Sequence, residues 1–180
     1  MNLKRSKSLM WAPWRKTYLR SSSAKRSGCL FCSLLRDRKD KRNLVLFRTA
    51  HHAVILNRYP YNNGHLMIVP HRHIACLSQL NVQEKAEFFY VLEKVMGALT
   101  KAMKPQGFNL GMNISDVAGA GVPHHMHWHI VPRWKGDVNF MPVVAGTKVI
   151  SESLESAYEV LIQALTPKIR SGRRVNRGAK

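Results

Sequence analysis

Four of the nine histidines in this 180-residue chain fall within six positions of the stretch PHHMHWHIVPRW, residues 123–134. Three of them, His125, His127 and His129, alternate with apolar residues. Alternate residues of a β-strand share one face at intervals of about 7 Å, so this spacing places three imidazoles side by side. The pattern indicates a shared task, which is either metal binding or phosphoryl-type chemistry with one imidazole as the nucleophile.

Cysteines supply a second set of chemically active residues. Cys29 and Cys32 have the spacing of a zinc knuckle. This spacing alone is weak evidence for a zinc site, because a complete site needs further ligands elsewhere in the chain. The total of three cysteines is odd and does not suit a secreted disulfide framework. The N-terminus has no signal-peptide core, and no apolar run approaches a membrane span. A cytoplasmic protein with no membrane contact is therefore expected, with an organellar transit peptide as the alternative.

Most of the net charge of +19 lies towards the two ends of the chain. Outside residues 43–167 there are nineteen Lys or Arg against two Asp or Glu, whereas inside that range ten face eight. We therefore predict a folded domain over 29–166, near-neutral from residue 43 onwards, flanked by a partly disordered basic segment (1–28) and a basic tail (167–180). Both basic segments are expected to make weak, salt-dependent contacts with polyanions.

Strand and helix patterns alternate along this domain. Asn81, followed by Glu84, begins a long helix that ends before Pro105, and Ser151 is the predicted N-cap of a C-terminal helix. The predicted strands cover residues 44–48, 52–57, 65–70 and 108–114, with the histidine run as the fifth. Hairpin-like strands interrupted by one long helix predict an α+β domain with an antiparallel sheet.

The stretch HMHWHIV has the form His-φ-His-φ-His-φ-φ, where φ is apolar, and so resembles the signature of the histidine triad (HIT) superfamily. The resemblance covers about residues 10–165. Within the superfamily, the chain is similar to the bacterial branch that includes diadenosine tetraphosphate phosphorylases and hydrolases. The stretches that carry it are WAPWR (11–15), CLFC (29–32), NRYPYNNGHLMIVPHRH (57–73), NISDVAGAGVPHHMHWHIVPRW (113–134) and GDVNFMP (136–142). It implies a HIT-like antiparallel sheet with one long central helix and a C-terminal helix, in a homodimer.

Three histidines acquire catalytic roles from this resemblance. It implies that His127, the middle member of the signature, attacks the α-phosphorus of a nucleoside polyphosphate and becomes covalently nucleotidylated. A neutral imidazole suits this role because it is nucleophilic at pH 7 without a helper base. His129 matches the third triad histidine, which contacts the phosphate, and His65 matches the fourth histidine of the superfamily.

Further positions match substrate-binding residues of the family. Asn57 matches the ribose-side position and Asn113 the asparagine that faces the leaving phosphates, although both side chains could instead cap turns. Gly119, Ala120 and Gly121 belong to a small-residue loop whose backbone N–H groups would approach an oxyanion. Several relatives carry a serine or glutamine in this loop as a phosphate donor, and this chain has Ala120 and Gly121 instead.

The resemblance also implies two further metal ligands beside the cysteine pair. Zinc-bearing relatives add two histidines that match His73 and His125, which with Cys29 and Cys32 make a closed set for structural zinc. The alternative is that the two thiols simply pack in the core. Cys76 receives no role, and the remaining histidines are expected on the surface or in loops: His51, His52, His71 and His124.

The predicted function is cleavage of a dinucleoside polyphosphate, with inorganic phosphate resolving the intermediate, because GDVNFMP is more similar to the phosphorylase branch. Arg133 and Lys135, just beyond the catalytic strand, are candidates to hold that phosphate. Three alternatives remain open. They are an asymmetric hydrolase that uses water, a non-catalytic nucleotide-binding or sensor protein, and a metal-dependent hydrolase whose three triad histidines are the ligands.

Overall fold

The structure, a computed structural model, describes residues 28–137 and 150–166. Its elements are α1 (Leu30–Arg36), α2 (Asp40–Asn43), β1 (Val45–Arg48), β2 (His52–Leu56), β3 (Leu66–Pro70), a 3-10 turn (Leu77–Gln79), α3 (Val82–Met103), β4 (Gly107–Gly111), β5 (Trp128–Arg133) and α4 (Leu154–Leu165). The strands form one antiparallel sheet in the order β1-β2-β3-β5-β4. This architecture confirms the predicted α+β class.

The pairing of β3 with β5 brings the histidine run into the interior of the sheet. Met67 lies opposite His129, and Leu66 lies opposite Ile130. Residues that face each other across paired strands point to the same side of a sheet. His129 therefore shares one face with Met67, while Ile130 and Leu66 point to the other.

Each face of the sheet has its own apolar cluster. The long helix α3 and the C-terminal α4 cover one face, where Val95 and Leu161 pack with Ile130 among fully buried residues. Phe31 of α1 covers the other face and packs with residues such as Met67. The histidine-bearing face is therefore the one covered by the short N-terminal helix and not by α3.

The beginning of α3 is fixed by the predicted capping box. The Asn81 side chain accepts a hydrogen bond from the Glu84 backbone N–H at 2.8 Å, and the Glu84 carboxylate accepts from the Asn81 N–H at 2.8 Å. Arg72 donates two further hydrogen bonds to this buried carboxylate. The Arg72 guanidinium lowers the pKa of Glu84 to about 2.

Several element boundaries differ from those predicted. The fourth strand ends at Gly111 instead of residue 114, and the fifth begins at Trp128, after two of the triad histidines. The N-cap of α4 is Ser153, whose side chain accepts from the Ser156 N–H at 3.1 Å, so the predicted cap at Ser151 is wrong. Helices α1 and α2 were not predicted.

Within the described ranges, no helix is both long and apolar enough to cross a membrane. Residues 1–27 and 167–180, which make up nearly all of the two predicted basic segments, lie outside the described residues, as does the end of the GDVNFMP stretch. The polyanion contacts and the cytoplasmic location stay predictions.

Candidate active site

His127 has the geometry of an oriented imidazole nucleophile. Its ring is 5% exposed, and its Nδ1 lies 2.9 Å from the backbone oxygen of His125. Because a carbonyl oxygen only accepts, Nδ1 carries the proton and Nε2 keeps its lone pair. Burial lowers the pKa of His127, which favours the neutral ring at pH 7. The arrangement holds one nitrogen of a neutral imidazole ready to attack an electrophile.

His125 and His127 precede the regular strand, so the prediction that all three triad histidines lie on strand β5 is wrong. The chain reaches β5 through a turn at Val122 and a single backbone bond from the Met126 N–H to the Ile74 oxygen, at 2.7 Å. The side chains nevertheless alternate as expected. Both imidazoles contact the Phe31 ring, at centroid distances of 5.5 Å for His125 and 4.9 Å for His127. Met126 instead packs in a separate apolar cluster with Ile74.

His65 and His129 form a hydrogen-bonded pair beside the nucleophile. The Nε2 atom of His65 lies 2.9 Å from Nδ1 of His129, and the His129 ring lies 4.9 Å from that of His127. The backbone N–H of Tyr61 donates to His65 Nδ1 at 3.0 Å. Since a backbone N–H cannot accept, His65 must carry its proton on Nε2 and donate it to His129. His129 in turn carries its proton on Nε2.

Asn57 lies at the beginning of the turn that leads to His65. Its side-chain oxygen accepts from the Tyr59 N–H at 2.9 Å, and its amide nitrogen lies 3.3 Å from His65 Nδ1. These contacts stabilise the turn and the His65 ring. The ribose-side role of Asn57 stays a prediction.

The small-residue loop uses most of its backbone N–H groups internally. The Gly119 N–H donates to the Asp116 oxygen at 2.7 Å, and the Ala120 N–H to the Ser115 oxygen at 3.2 Å. Asn113 donates to the Gly119 oxygen at 3.4 Å. Of the three predicted oxyanion donors, only the Gly121 N–H has no acceptor within residues 28–137 and 150–166. Gly121 is therefore the strongest candidate for a backbone contact with phosphate.

The predicted metal ligands converge on one point. Cys29 Sγ lies 3.3 Å from His125 Nδ1, while Cys32 Sγ lies 3.3 Å from His73 Nδ1 and 3.5 Å from His125 Nδ1. All four ligand atoms lie within 4.8 Å of one another. In tetrahedral zinc sites with Zn–S of about 2.3 Å and Zn–N of about 2.0 Å, sulfur and nitrogen ligands are about 3.5 Å apart. The donor set and its spacing therefore fit zinc.

The protonation of the His125 ring also suits a metal. His125 Nε2 lies 2.9 Å from the Pro70 oxygen, which fixes the proton there and leaves Nδ1 as the free donor atom facing the cysteines. Burial lowers the pKa of the His125 ring, and burial together with the neighbouring Cys29 raises the pKa of the Cys32 thiol. A cation bound here would displace the thiol protons.

Arg133 already forms side-chain hydrogen bonds with neighbouring residues, whereas the Lys135 side chain lies at the surface. Arg133 donates to Asp137 from Nε at 2.7 Å and from Nη2 at 2.8 Å, and to Asn109 from Nη1 at 2.6 Å. Lys135 is exposed. A guanidinium that is already paired has less capacity for an incoming phosphate, so Lys135 is the better candidate of the two.

His52 is not on the surface as expected, because its ring is fully buried. It lies on the helix-facing side of β2, between Phe88 and Trp128, and its Nδ1 is 3.1 Å from Glu87. Burial lowers the pKa of His52. The alternation of β2, which also buries Val54 on this side, could have revealed this position.

Two site residues were missed by the sequence interpretation. Phe31, between the two cysteines, packs against the triad rings, and the CLFC stretch already contained that signal. Tyr61 contributes its backbone N–H and a ring that lies 4.6 Å from His65. No sequence pattern identifies a backbone donor of this kind.

A cavity of about 370 Å³ lies beside the loop that follows β4. It is lined by residues that follow Asn113 and residues that precede His125, among them Ile114, Asp116 and His124. Asn113 and the triad histidines are not among its lining residues.

Comparisons with known proteins point to one family. The family model described as HIT domain matches residues 38–136. AP-4-A phosphorylase of Mycobacterium tuberculosis is 35% identical over 158 residues, which cover 84% of this chain and 81% of the relative. The asymmetrical bis(5'-nucleosyl)-tetraphosphatase of Schizosaccharomyces pombe is 33% identical over 93 residues, which cover 52% of this chain and 50% of the relative.

Solved structures match the fold. A hypothetical histidine triad nucleotide-binding protein from Sulfolobus tokodaii superimposes with a TM-score of 0.62 and 26% identity, covering 76% of this chain and 91% of that protein. A zinc-bound histidine triad family protein from Mycobacterium smegmatis gives a TM-score of 0.61 with 22% identity, covering 77% and 93%. The expected HIT-like fold is confirmed.

Proposed function

Because this chain belongs to the HIT domain family, we propose that it is an enzyme that cleaves dinucleoside polyphosphates through a nucleotidyl-His127 intermediate. The observation that carries the proposal is the hydrogen bond from His127 Nδ1 to the His125 carbonyl, which leaves Nε2 as a lone-pair nucleophile in a buried, neutral ring. A metal-dependent hydrolase with three triad ligands is less well supported, because the His125 Nδ1 atom faces the cysteines and His127 Nδ1 is occupied by its carbonyl.

In the first step, Nε2 of His127 attacks the α-phosphorus of the substrate. The N–P bond forms as the bond from that phosphorus to its bridging oxygen breaks, and the rest of the molecule leaves as a nucleoside polyphosphate. His129 presents an Nε2–H group beside His127, which suits stabilisation of phosphate charge. The Gly121 N–H is a candidate second donor, and Asn113 lies on the same loop.

In the second step, we propose that inorganic phosphate attacks the phosphorus and breaks the N–P bond, which regenerates neutral His127. With diadenosine tetraphosphate the sum is one phosphate consumed and one ADP and one ATP released. The M. tuberculosis relative named AP-4-A phosphorylase supports phosphorolysis. The S. pombe relative is named a tetraphosphatase, so resolution by water is the second candidate.

We propose further that Cys29, Cys32, His73 and His125 hold a structural zinc ion, which would supply a closed cross-link and no open position for substrate. This set ties α1 to the segment that carries the nucleophile. Loss of the ion would therefore disturb His127 through the His125 backbone and through Phe31.

A homodimer is proposed as the working unit. Strand β4 is an edge of the sheet within the described residues, and Leu110 on this strand is 50% exposed. Phe89, on α3, is 69% exposed. Sedimentation analysis should show a dimer, and Leu110→Lys should shift it to monomer, whereas Val117→Lys, in an exposed loop, should not. A monomeric wild-type protein contradicts this proposal.

The catalytic proposal is tested by analysing products after incubation with diadenosine tetraphosphate, with and without inorganic phosphate. We expect ADP and ATP in equal amounts, with consumption that is severely slowed when phosphate is omitted. AMP and ATP at a phosphate-independent rate would identify an asymmetric hydrolase instead. Tight nucleotide binding without any product would identify a sensor, and immediate loss of activity on adding a chelator would favour a catalytic metal.

A further inference from the structure

Asp137 is a buried carboxylate beyond the end of the catalytic strand. Its side chain is 9% exposed, and its pKa is held far below the usual range by the Arg133 guanidinium. It accepts two hydrogen bonds from Arg133, one from the Trp134 N–H at 3.1 Å and one from Asn62 Nδ2 at 2.7 Å. Four donors aimed at one carboxylate form a rigid junction.

Asn62 links this junction to the loop before β3. Its side chain, buried like that of Asp137, also donates to the Pro132 oxygen at 3.0 Å. Its backbone oxygen accepts from the His65 N–H at 3.2 Å. The residue before it in the chain is Tyr61, whose N–H donates to His65 Nδ1. The position of the Tyr61 N–H therefore depends on where Asn62 is held.

We propose that Asp137 and Asn62 are positioning residues that determine which nitrogen of His129 carries the proton. Asp137 holds Asn62, and Asn62 fixes the turn before β3. In that turn, the Tyr61 N–H and the Asn57 amide keep His65 Nδ1 unprotonated. His65 then donates from Nε2 to His129 Nδ1, so the His129 proton lies on Nε2. Neither positioning residue has to touch the substrate.

The alternative proton arrangement explains why this matters. If the turn shifts so that both the Tyr61 N–H and the Asn57 amide move away, His65 can carry its proton on Nδ1, and His65 Nε2 becomes an acceptor. His129 must then donate from Nδ1, which leaves a lone pair on its Nε2 atom. A lone pair repels phosphate oxygens, whereas an N–H group stabilises them. By holding the turn before β3, Asp137 and Asn62 therefore favour the tautomer of His129 whose Nε2–H group stabilises negative charge.

The tautomers can be measured in the substrate-free, full-length protein by long-range ¹H–¹⁵N correlation spectra of labelled histidine. The consequence for turnover rests on the proposed function, whereas the spectra do not. We expect His65 and His129 to show the Nε2–H tautomer in the wild type and a mixture in Asp137→Asn. Turnover of diadenosine tetraphosphate should give a kcat lower by about 10–100-fold, as for other groups that orient a catalytic residue, with an unchanged nucleotide KM.

Two further variants complete the test. Asn62→Ala leaves the Arg133–Asp137 pair intact and removes the Asn62 hydrogen bonds to Asp137 and to the Pro132 oxygen, so it should reproduce the spectral change even if Asp137→Asn does not fold. Asp37→Asn is the control, because the Asp37 carboxylate is also paired with an arginine, Arg42. It should change neither the spectra nor kcat.

The proposal is overturned if Asn62→Ala and Asp137→Asn lower the melting temperature but leave the histidine spectra and kcat unchanged. It is also overturned if the only kinetic effect is a higher KM for inorganic phosphate, since Asp137 and Arg133 would then belong to a phosphate subsite. If the wild-type protein does not turn over diadenosine tetraphosphate, the proposed function is wrong, but the predicted change in the histidine spectra still tests the tautomer proposal.

Discussion

The Nδ1 atom of His127 lies 2.9 Å from the carbonyl oxygen of His125, a residue whose own Nδ1 faces Cys29 and Cys32. One residue therefore belongs to the candidate metal set through its ring and orients the candidate nucleophile through its backbone. A second connection runs through Phe31, which lies between the cysteines and contacts the His127 ring. Through these two contacts, a metal bound at the candidate set would be coupled to the geometry of the candidate nucleophile.

Replacing the nucleophile tests the covalent mechanism. His127→Ala should lower kcat by more than about 10⁴-fold, beyond the effect of losing an acid–base group alone. The pocket walls are untouched, so nucleotide binding should persist in calorimetry. Rapid quenching without acid, followed by mass spectrometry, should detect a nucleotide on a histidine of the wild type only.

His51→Ala is the matched control, because this half-buried histidine lies in the loop between β1 and β2. It should retain wild-type turnover. A near-normal rate in His127→Ala would exclude the covalent mechanism.

Replacing either knuckle cysteine tests the metal site. The wild type should contain about one zinc per chain, and Cys29→Ser or Cys32→Ser should lose it. The melting temperature should fall by roughly 10 °C, because a closed metal site contributes several kcal/mol to folding. Turnover should decrease through the His125 backbone, while the preference among nucleotides should stay the same, because the ion contacts no substrate.

Cys76→Ser provides the control. This third cysteine lies near Gln79, away from the ligand set, and its replacement should leave zinc content and melting temperature unchanged. If the wild-type protein contains no stoichiometric zinc, Cys29 and Cys32 only pack in the core and do not bind a metal.

The Glu84–Arg72 pair predicts an acid-sensitive contribution to stability. The pKa of Glu84 is about 2 in the folded protein, below its ordinary value of 4.5. A depressed carboxyl pKa stabilises the folded state above the unfolded value, and this contribution is lost as the pH falls from about 4.5 to about 2. At pH 7, Glu84→Gln should lower the free energy of unfolding by about 2 kcal/mol in urea titrations.

The difference between wild type and Glu84→Gln should shrink as the pH falls through this window. Glu93→Gln, at an exposed position of the same helix, should follow the wild-type curve. A constant difference at every pH would show that the capping geometry matters and the charge does not.

The sequence predicted the parts of the fold that depend on local patterns. Short apolar runs between turn signals, and the alternation of the histidine run, identified the five strands of the described residues, and the Asn81–Glu84 capping box was confirmed. The wrong cap of α4 has a local cause, because Ser151 and Ser153 are equally good caps by type. Only the packed structure selects Ser153. Helix α1 has no side-chain cap and spans only two turns, so its pattern was too short to detect.

Contacts between distant segments explain what could not be predicted at the site. The residue types of the metal set and the triad were available from the family resemblance. The hydrogen bond from Asn62 to Asp137 joins residues 75 positions apart, and no spacing rule reveals it. It also changes the interpretation of Arg133, which the sequence presented as a free cation and the structure pairs with Asp137.

This pairing leads to a test of how phosphate is held. Lys135 is exposed just beyond β5, and its backbone N–H is fixed by Gln106 at 2.6 Å. If this side chain binds the incoming phosphate, Lys135→Ala should raise the KM for inorganic phosphate by about tenfold, the effect of losing one charge-assisted hydrogen bond. Formation of the nucleotidyl-enzyme in single turnover without phosphate should be unchanged. Lys104→Ala, at the end of α3, removes an equal charge and should leave both quantities unaltered. An unchanged phosphate KM in Lys135→Ala would mean that the phosphate is held elsewhere.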